Sequence, residues 1–490
     1  MKPPPLALAG FVVLIPLLAA ITPRPATQPP ISVPPQQIVA QPPTLRAGAF
    51  AQDVTPTTFP ISVNGGFADR KATSAHDPLH ARCLVLADGT TTVALVVVDS
   101  CLMPRSLIEA AKAQAENATG IPAANMLISA THTHTAPTVT AAFQSDPDEG
   151  YVRFLTGKIA EGIAKAHARL APAKAGWGAA PEPNQVFNRR WKMKPGFDNP
   201  DPFGRTTDAV KMNPGYENPG LALPAGPTDP EVSVLSLRSP DDKPLALYAN
   251  YSLHYVGDMP PLSADYFGVF GDRIGGLLGT TSPSFVGMLS NGTSGDVNNI
   301  NFAGPAPKKR EQGEQSRVVA ESVGAAAKKA ASEARYRSEV TLAVASKEIE
   351  LGVRKPTAAE VARAEGILEK AKGRELRGAE EVYARETVLL QAYPDRVKLK
   401  IQVIRVGDLG IVGIPCEVFT EIGLEIKKKS PLKRTFTVSL ANGYNGYLPT
   451  PEQHTWGGYE TWRARSSYLE VKASDTILAT AMELLASVAK

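Results

Sequence analysis

One strand–helix–strand pattern constrains the fold of this chain more than any other feature of its sequence. Residues 93–99 form an apolar run, residues 104–120 have the periodicity of a helix that ends at Gly120, and residues 126–131 form a second apolar run. Two buried strands joined by a helix of this length are typical of a βαβ unit with parallel strands. The pattern therefore predicts an α/β fold.

Further apolar runs predict more strands in the rest of the chain. Each run is followed by glycine, proline, asparagine or a polar turn, as strands commonly are. They occur at residues 231–237, 245–250, 284–289, 409–414 and 435–440. Residues 307–391 are instead rich in alanine, lysine, glutamate and arginine, which predicts a largely helical section with a charged, solvated face and a strand-like interruption at 339–351. We expect a single large domain over residues 45–490, with a mixed β-sheet and flanking helices.

Composition excludes several classes of protein. Hydrophobic residues make up 43% of the chain and charged residues 20%, which is typical of a folded, soluble protein. Lysine and arginine number 52 against 48 aspartates and glutamates, and a net charge of +4 does not indicate a nucleic-acid partner. The three cysteines, Cys83, Cys101 and Cys416, exclude a disulfide framework and a CxxC metal site, and they leave a Cys83–Cys101 bond open.

The N-terminus predicts export. Residues 6–21 are almost wholly apolar and follow Lys2, so residues 1–21 are interpreted as a signal peptide or an N-terminal anchor. Residues 22–44 are rich in proline, glutamine and threonine and are interpreted as an extended linker. The protein is therefore expected to be periplasmic, secreted or anchored to the cell envelope, and its oligomeric state is left open.

The segment Thr131–Thr135, with the sequence THTHT, carries the sharpest local signal for chemistry. In an extended backbone, residues i and i+2 point to the same face, roughly 6.6 Å apart along the strand. His132 and His134 are thus predicted to converge on one ion or one substrate atom. The alternative for an isolated pair is that both histidines are exposed or hydrogen-bonded.

Three more candidate metal ligands follow apolar strands elsewhere in the chain: His254, Glu417 and Tyr447. Taken singly, they could be a core histidine, a carboxylate at a helix N-terminus and a packing aromatic. However, the carboxyl ends of strands in an α/β sheet border the functional crevice, so together they predict a metal site at the strand ends. Imidazole nitrogens combined with carboxylate and phenolate oxygens suit Zn²⁺.

With these residues the sequence resembles the neutral/alkaline (non-lysosomal) ceramidase family, zinc amidases that cleave the N-acyl bond of ceramide. The resemblance spans most of the chain after residue 45. It is carried by Ala51–Pro56, His80–Arg82, Thr131–Thr135, Phe187–Arg189, His254, Gly295–Val297, Gly413–Glu417, Tyr444–Tyr447 and Tyr459–Glu460.

The resemblance implies a role for each candidate residue. Four would hold the zinc: His132, His254, Glu417 and Tyr447. Three would line the site and hydrogen-bond the developing oxyanion or the substrate head group: His134, Arg189 and Tyr459. Local geometry allows either histidine of the pair to be the ligand, so the choice of His132 over His134 stays open.

The implied activity is that of an exported zinc-dependent hydrolase of a linear amide. Its substrate would be N-acyl sphingosine or another small-molecule or lipid N-acyl compound, with peripheral membrane contact through that substrate. Metal-activated water would be the nucleophile, and His134 would pass a proton to the leaving amine. Two alternatives remain, a catalytically degenerate ceramidase-like binding protein of the cell envelope and a zinc esterase.

One departure from the family pattern concerns Asn298. The family places a serine after the Gly-Asp-Val motif, whereas this chain has Asn298 after Gly295–Val297. An amide cannot accept an acyl group, so hydrolysis would use water directly. Asn298 would then donate its NH₂ group to the substrate carbonyl or, alternatively, cap the following turn.

Overall fold

The computed structural model describes residue 1, residues 10–14, residue 16 and residues 44–490. The predicted signal or anchor at 1–21 and the linker at 22–44 therefore lie largely outside the described residues. Within those residues, no helix combines the length and the apolar character needed to cross a membrane. The chain divides into two compact units, residues 1–41 and 42–490, and the description below concerns residues 44–490.

The strands of residues 44–490 include short two-residue pairs near the site as well as long strands of the main sheets. They are β1 (Arg46–Asp53), β2 (Ile61–Val63), β3 (Arg70–Ala72), β4 (His80–Ala87), β5 (Thr92–Val98), β6 (Met126–Ala130), β7 (Ala171–Pro172), β8 (Lys174–Pro181), β9 (Phe187–Asn188), β10 (Arg190–Met193), β11 (Val210–Met212), β12 (Leu221–Pro224), β13 (Glu231–Arg238), β14 (Pro244–Tyr251), β15 (Val286–Asn291), β16 (Val297–Asn298), β17 (Leu342–Gly352), β18 (Arg396–Val406), β19 (Leu409–Gly413), β20 (Glu417–Val418), β21 (Arg434–Val438) and β22 (Tyr447–Leu448).

The α-helices of the same residues cover the sheets and link their parallel strands. They are α1 (Arg105–Thr119), α2 (Glu149–Ala168), α3 (Asp265–Leu277), α4 (Glu314–Ser332), α5 (Ala358–Lys370), α6 (Gly378–Gln391), α7 (Thr420–Lys429), α8 (Pro451–Trp456) and α9 (Ala473–Val488).

Three large sheets share the same arrangement of strand directions. Their strand orders are β6-β5-β4-β1-β7, β15-β14-β13-β8 and β17-β18-β19-β21. In each sheet the neighbours are antiparallel except for one parallel pair, which is β5 with β6, β14 with β15, or β19 with β21. The predicted βαβ unit is confirmed, since α1 connects β5 to β6, and so is the mixed α/β fold.

The strands are apolar on both faces because each sheet is covered twice. In β5, Leu95 and Val97 point into a core shared by all three sheets, which also holds Tyr248 of β14 and Phe436 of β21. The alternate residues of β5 pack under α1 and α2. Helices α3 and α4 cover the second sheet in the same way, and α7 and α9 cover the third. This double burial explains why the strands read as continuous apolar runs.

The carboxyl ends of the parallel strands meet at one edge of the shared core. The amide of Ala130, at the end of β6, donates to the carbonyl of Leu440 beyond β21 at 3.3 Å. The amide of Ser439 donates to the carbonyl of Asn291, the last residue of β15, at 3.0 Å. Residues that follow these strands are thus brought together from distant parts of the chain.

The charged section at 307–391 is helical as predicted, with β17 as the strand-like interruption. After β17 the helical part of this section is not continuous: it is divided into α5 and α6, and Gly373 between them adopts a positive φ of 83°. Helix α6 also does more than present a solvated face. Its Tyr383 is buried and packs edge-on against Phe67, with ring centroids 6.1 Å apart.

Candidate metal centre

His132 and His134 converge, although not by strand alternation. Strand β6 ends at Ala130, and His132 lies beyond it with a left-handed φ of 72°. Such a conformation is uncommon for a residue with a side chain and often marks a functional site. The turn brings the two Nε2 atoms to 3.2 Å from each other. The predicted convergence is present, but a turn produces it rather than the extended backbone that we expected.

His254 and Glu417 join this pair from the other two sheets. His254 follows β14, and Glu417 follows β19 and begins the short strand β20. One ligand atom each of His132, His254 and Glu417 lies within 4.8 Å of the others, and all three residues are buried. His134 falls instead into a second group, with His132 and Cys101. This geometry groups His132, rather than His134, with the other candidate ligands.

The three histidine rings are held in a common orientation. In each ring, Nδ1 lies within hydrogen-bond distance of a backbone carbonyl, which only accepts, so Nδ1 carries a proton and Nε2 is the atom that faces the other candidate ligands. The acceptors are the carbonyls of Cys101 for His132 (2.9 Å), Gly65 for His134 (2.8 Å) and Ser294 for His254 (3.0 Å). Backbone bonds of this kind are the usual supports of metal-binding histidines.

The ligand atoms left over by these bonds fit a cation. His132 Nε2 and His134 Nε2 face each other at 3.2 Å, which is repulsive unless a proton or a metal ion lies between them. Glu417 Oε2 is buried, has no hydrogen-bond donor, and lies 3.2 Å from His132 Nε2. Buried polar atoms are rarely left unpaired, so this oxygen needs a cation beside it, either a protonated His132 or a metal ion that replaces that proton. Two imidazoles and a carboxylate suit zinc.

The three histidines of the site differ in the direction in which their pKa values are shifted. Although burial acts in the opposite direction, the Glu417 carboxylate raises the pKa of His132 to about 10. Burial lowers the pKa of His134 well below its usual value, and His132 lowers it further. Burial also lowers the pKa of His254, with Arg189 adding to the effect. His134 and His254 are therefore neutral near pH 7.

Tyr447 is placed beside Glu417 by backbone pairing. Strands β20 and β22 form a parallel pair in which Glu417 lies opposite Tyr447. The Tyr447 hydroxyl accepts a hydrogen bond from Arg189 Nη2 at 3.1 Å. Burial and then Glu417 raise the pKa of Tyr447 well above its usual value, whereas Arg189 acts in the opposite direction. We call His132, His254, Glu417 and Tyr447 the ligand cluster.

Arg189 connects the ligand cluster to a second buried group. Its Nη1 lies 3.3 Å from His254 Nε2, so it competes with a metal for that lone pair. Its Nε donates to Glu460 Oε1 at 2.8 Å, and Arg190 Nη1 donates to Glu460 Oε2 at 2.6 Å. Gln453 completes the set by accepting from Arg190 Nε at 3.1 Å. We call Arg189, Arg190, Gln453 and Glu460 the arginine cluster.

Sequence reasoning gave no role to two residues of this region. Glu460 is fully buried between two arginines, and the Tyr444 hydroxyl donates to Glu417 Oε1 at 3.2 Å. Both residues lie in segments that carry the family resemblance. The consecutive arginines Arg189 and Arg190 gave no signal for Glu460 by themselves, because the burial that makes two guanidinium groups require a carboxylate is visible only in the structure.

Each of the two polar groups of the Asn298 side chain has a hydrogen-bond partner. Its side-chain NH₂ donates to Asn213 Oδ1 at 2.8 Å, and its Oδ1 accepts from the backbone amide of Ile300 at 3.0 Å. The second contact is that of a residue capping the following turn. The amide lines a cavity with Arg189 and His254.

Two cavities border the ligand cluster. The first, of about 230 Å³, is bordered by His132, His134, Glu417, Tyr447 and Tyr459, and its other walls are largely apolar. We call it the apolar cavity; Phe67, Leu102, Phe143 and Met212 contribute to it. Cys101 also lies in its wall, and its thiol is free, as are those of Cys83 and Cys416. The structure therefore has no Cys83–Cys101 bond.

The second cavity, of about 330 Å³, is bordered by Arg189, His254 and Asn298; most of its lining residues are polar or charged, and Tyr216, Val256, Ile300 and Pro307 add apolar surface. We call it the basic cavity because Lys308 and Arg310 lie in its wall. Between the two cavities the His134 ring stacks on Tyr255, with centroids 3.6 Å apart.

The fold relates this chain to proteins of known structure, although no protein-family model and no curated protein matches its sequence. The neutral ceramidase of Pseudomonas aeruginosa superimposes with a TM-score of 0.70 at 17% sequence identity, over 91% of this chain and 74% of that chain. A ceramidase complexed with C2 superimposes with a TM-score of 0.68 at 16% identity, over 91% and 75% of the two chains. The chain has the neutral ceramidase fold, and the resemblance inferred from its motifs is confirmed at that level.

Proposed function

We propose that this protein is a zinc-dependent hydrolase of a linear amide, ceramidase-like in its chemistry and acting on an N-acyl lipid or a related N-acyl compound. The observation that carries the proposal is the convergence of His132, His254 and the buried carboxylate of Glu417, whose ligand atoms lie within 4.8 Å of one another. The neutral ceramidase fold supports the assignment of an amide as the bond that is cleaved.

The ligand cluster would hold the metal, with His132, His254 and Glu417 as its core and Tyr447 beside them. When bound there, zinc supplies a Lewis acid that polarises a carbonyl group and makes water more acidic. The backbone bonds to Nδ1 of each histidine keep the rings oriented for this task before any ion arrives.

Three residues around the ligand cluster would have separate roles in the reaction. Arg189 is held by Glu460 and presents its Nη1 and Nη2 groups toward His254 and Tyr447, so it offers positive charge where an oxyanion would develop. His134 holds its own proton at Nδ1 and has a free Nε2 that can accept a proton and return it to the leaving amine. Tyr459 lines the apolar cavity close to Tyr447, with ring centroids 5.8 Å apart, and helps to exclude water from the site.

Metal analysis tests this function directly. We expect about one zinc per chain, and His254→Ala or Glu417→Ala should remove most of it, together with hydrolysis of a panel of N-acyl substrates. Glu483→Ala, at a solvent-exposed ion pair with Lys347, is the matched control and should keep both. Full zinc occupancy in the two site variants, or a zinc-loaded protein that cleaves no amide, would contradict the proposal.

Export is part of the same proposal and rests on the apolar run at residues 6–21. A reporter fused after residue 45 should be recovered outside the cytoplasm. A fusion that stays soluble in the cytoplasm would show that the N-terminal segment has another role.

A further inference from the structure

The two cavities beside the ligand cluster differ in chemistry. The walls of the apolar cavity beyond the site residues include Phe67, Leu102 and Phe143. The basic cavity also has apolar wall residues, such as Ile300 and Pro307, but it adds amide and cationic side chains, among them Asn299, Gln315 and Arg310. His132 and Glu417 lie in the wall of the first cavity and His254 in the wall of the second. A substrate whose reacting bond lies at the cluster therefore meets a different environment on each side.

The wall of the basic cavity carries more positive than negative side chains. Lys308 and Arg310 are exposed in its wall, and within residues 44–490 neither has a carboxylate oxygen within 4.0 Å. The carboxylate in this wall, Asp258, is already bound by the N-terminus of α4, where it accepts from the amides of Gln315 at 2.8 Å and Ser316 at 3.3 Å. Two cations are thus left free to meet an anionic ligand.

From this arrangement we infer that the substrate carries its negative charge on the amine side of the amide, as an N-acyl amino acid does. The inference rests on the proposed amide hydrolysis and adds the substrate class and two specificity residues to it. The acyl arm occupies the apolar cavity, and the carboxylate or phosphate of the amine arm faces Lys308 and Arg310 in the basic cavity.

The reverse placement is unfavourable for the charged arm. A charged group moved into the apolar cavity would lose its hydration without gaining a partner. An anion in the basic cavity keeps access to water and gains two cations, which raise the association rate and fix the direction in which the substrate binds. Because these cations are exposed, the gain must weaken as salt concentration rises.

The test compares substrates that differ only in this charge. On the zinc-loaded protein at low ionic strength, kcat/KM for N-octanoylglycine should exceed that for the neutral N-octanoylethanolamine by about tenfold, which corresponds to two exposed ion pairs. The Lys308→Gln/Arg310→Gln double variant should reduce this ratio to about two, mainly through KM for the anionic substrate, and high salt should do the same in the wild type. N-octanoyl-O-phosphoethanolamine shows whether a phosphate serves better than a carboxylate.

Lys309→Gln is the matched control, because it removes the same charge from an exposed position that is not in the cavity wall. It should leave the ratio unchanged. Equal kcat/KM for the neutral and anionic amides, or a ratio that survives in the double variant, would overturn the inference and leave amide hydrolysis standing. A zinc-loaded protein that cleaves none of these amides would instead overturn the proposed function and this inference with it.

Discussion

The ligand cluster and the arginine cluster are adjacent and both buried, but they differ in whether the protein itself satisfies their polar atoms. In the arginine cluster, both oxygens of Glu460 accept from arginines, and Arg190 also donates to Gln453 and to the carbonyl of Gly457. In the ligand cluster, Glu417 Oε2 accepts no hydrogen bond of good geometry, and His132 Nε2 faces Nε2 of the neighbouring His134, so a proton or a metal ion must complete the group. The first network is closed by the protein's own residues, whereas the second is open.

This difference distinguishes a structural network, the arginine cluster, from a binding site, the ligand cluster. A closed buried network contributes to stability only while every member is present, because removing one leaves the others desolvated and unpaired. An open network costs stability until a ligand completes it, and this cost is compensated by binding. Arg189 belongs to the closed network and touches the open one, so it transmits the rigidity of the first to the second.

The largest expected effect is on the closed network. Glu460→Gln removes the charge shared by Arg189 and Arg190, and we expect it to lower the free energy of unfolding by about 3–5 kcal/mol. Urea unfolding followed by circular dichroism measures the change. Glu483→Gln, at an exposed ion pair, should change it by less than about 0.5 kcal/mol. A similarly small loss in Glu460→Gln would show that the arginine cluster is no more stabilising than a surface pair.

The open network should respond to metal rather than to mutation alone. Zinc at about 100 times its dissociation constant should stabilise the wild-type protein by about 2.7 kcal/mol, and a chelator should reverse the effect. Glu417→Gln should abolish this response, because it removes the anionic ligand while keeping the shape of the side chain. Thermal unfolding with and without zinc measures both proteins. An equal zinc shift in the variant would place the ion elsewhere.

Lys112 provides an intermediate case, a buried cation bonded only to a neutral amide. Its Nζ donates to Asn442 Oδ1 at 2.7 Å, and burial lowers its pKa from 10.5 to about 7. Between these two values the unfolded chain holds a proton that the folded protein lacks, so stability rises with pH by up to ~1.4 kcal/mol per unit. Lys112→Met should remove this slope in urea unfolding at pH 7, 8 and 9. Parallel pH profiles would show that Lys112 stays protonated in the fold.

The smallest effect is expected at Asn298. Because both polar groups of its side chain are already bonded, to Asn213 and to the amide of Ile300, Asn298→Ala should cost about 1 kcal/mol of stability and change kcat only a few-fold. Melting temperature, zinc content and turnover on the substrate that the panel identifies separate the two roles. A loss of about 10²-fold in kcat with zinc retained would instead support an oxyanion contact from this amide.

The sequence was sufficient for features that depend on local patterns. Apolar runs predicted the strands that form parallel pairs, and helical periodicity predicted α1 between β5 and β6. The rule that functional residues follow strands selected His132, His254 and Glu417, which the structure brings within 4.8 Å of one another. These patterns are readable because burial and backbone geometry act over a few neighbouring residues.

Only the tertiary structure decided which partners surround those residues. The left-handed turn at His132, the position of Glu460 between two arginines, and the split between an apolar and a basic cavity all depend on contacts between segments far apart in the chain. Periodicity in a sequence reports which face of an element is buried, but it carries no information on which distant side chain lies opposite. The sequence by itself therefore determined the strands and the candidate ligands, whereas tertiary packing decided which polar groups are satisfied and which are left open for a ligand.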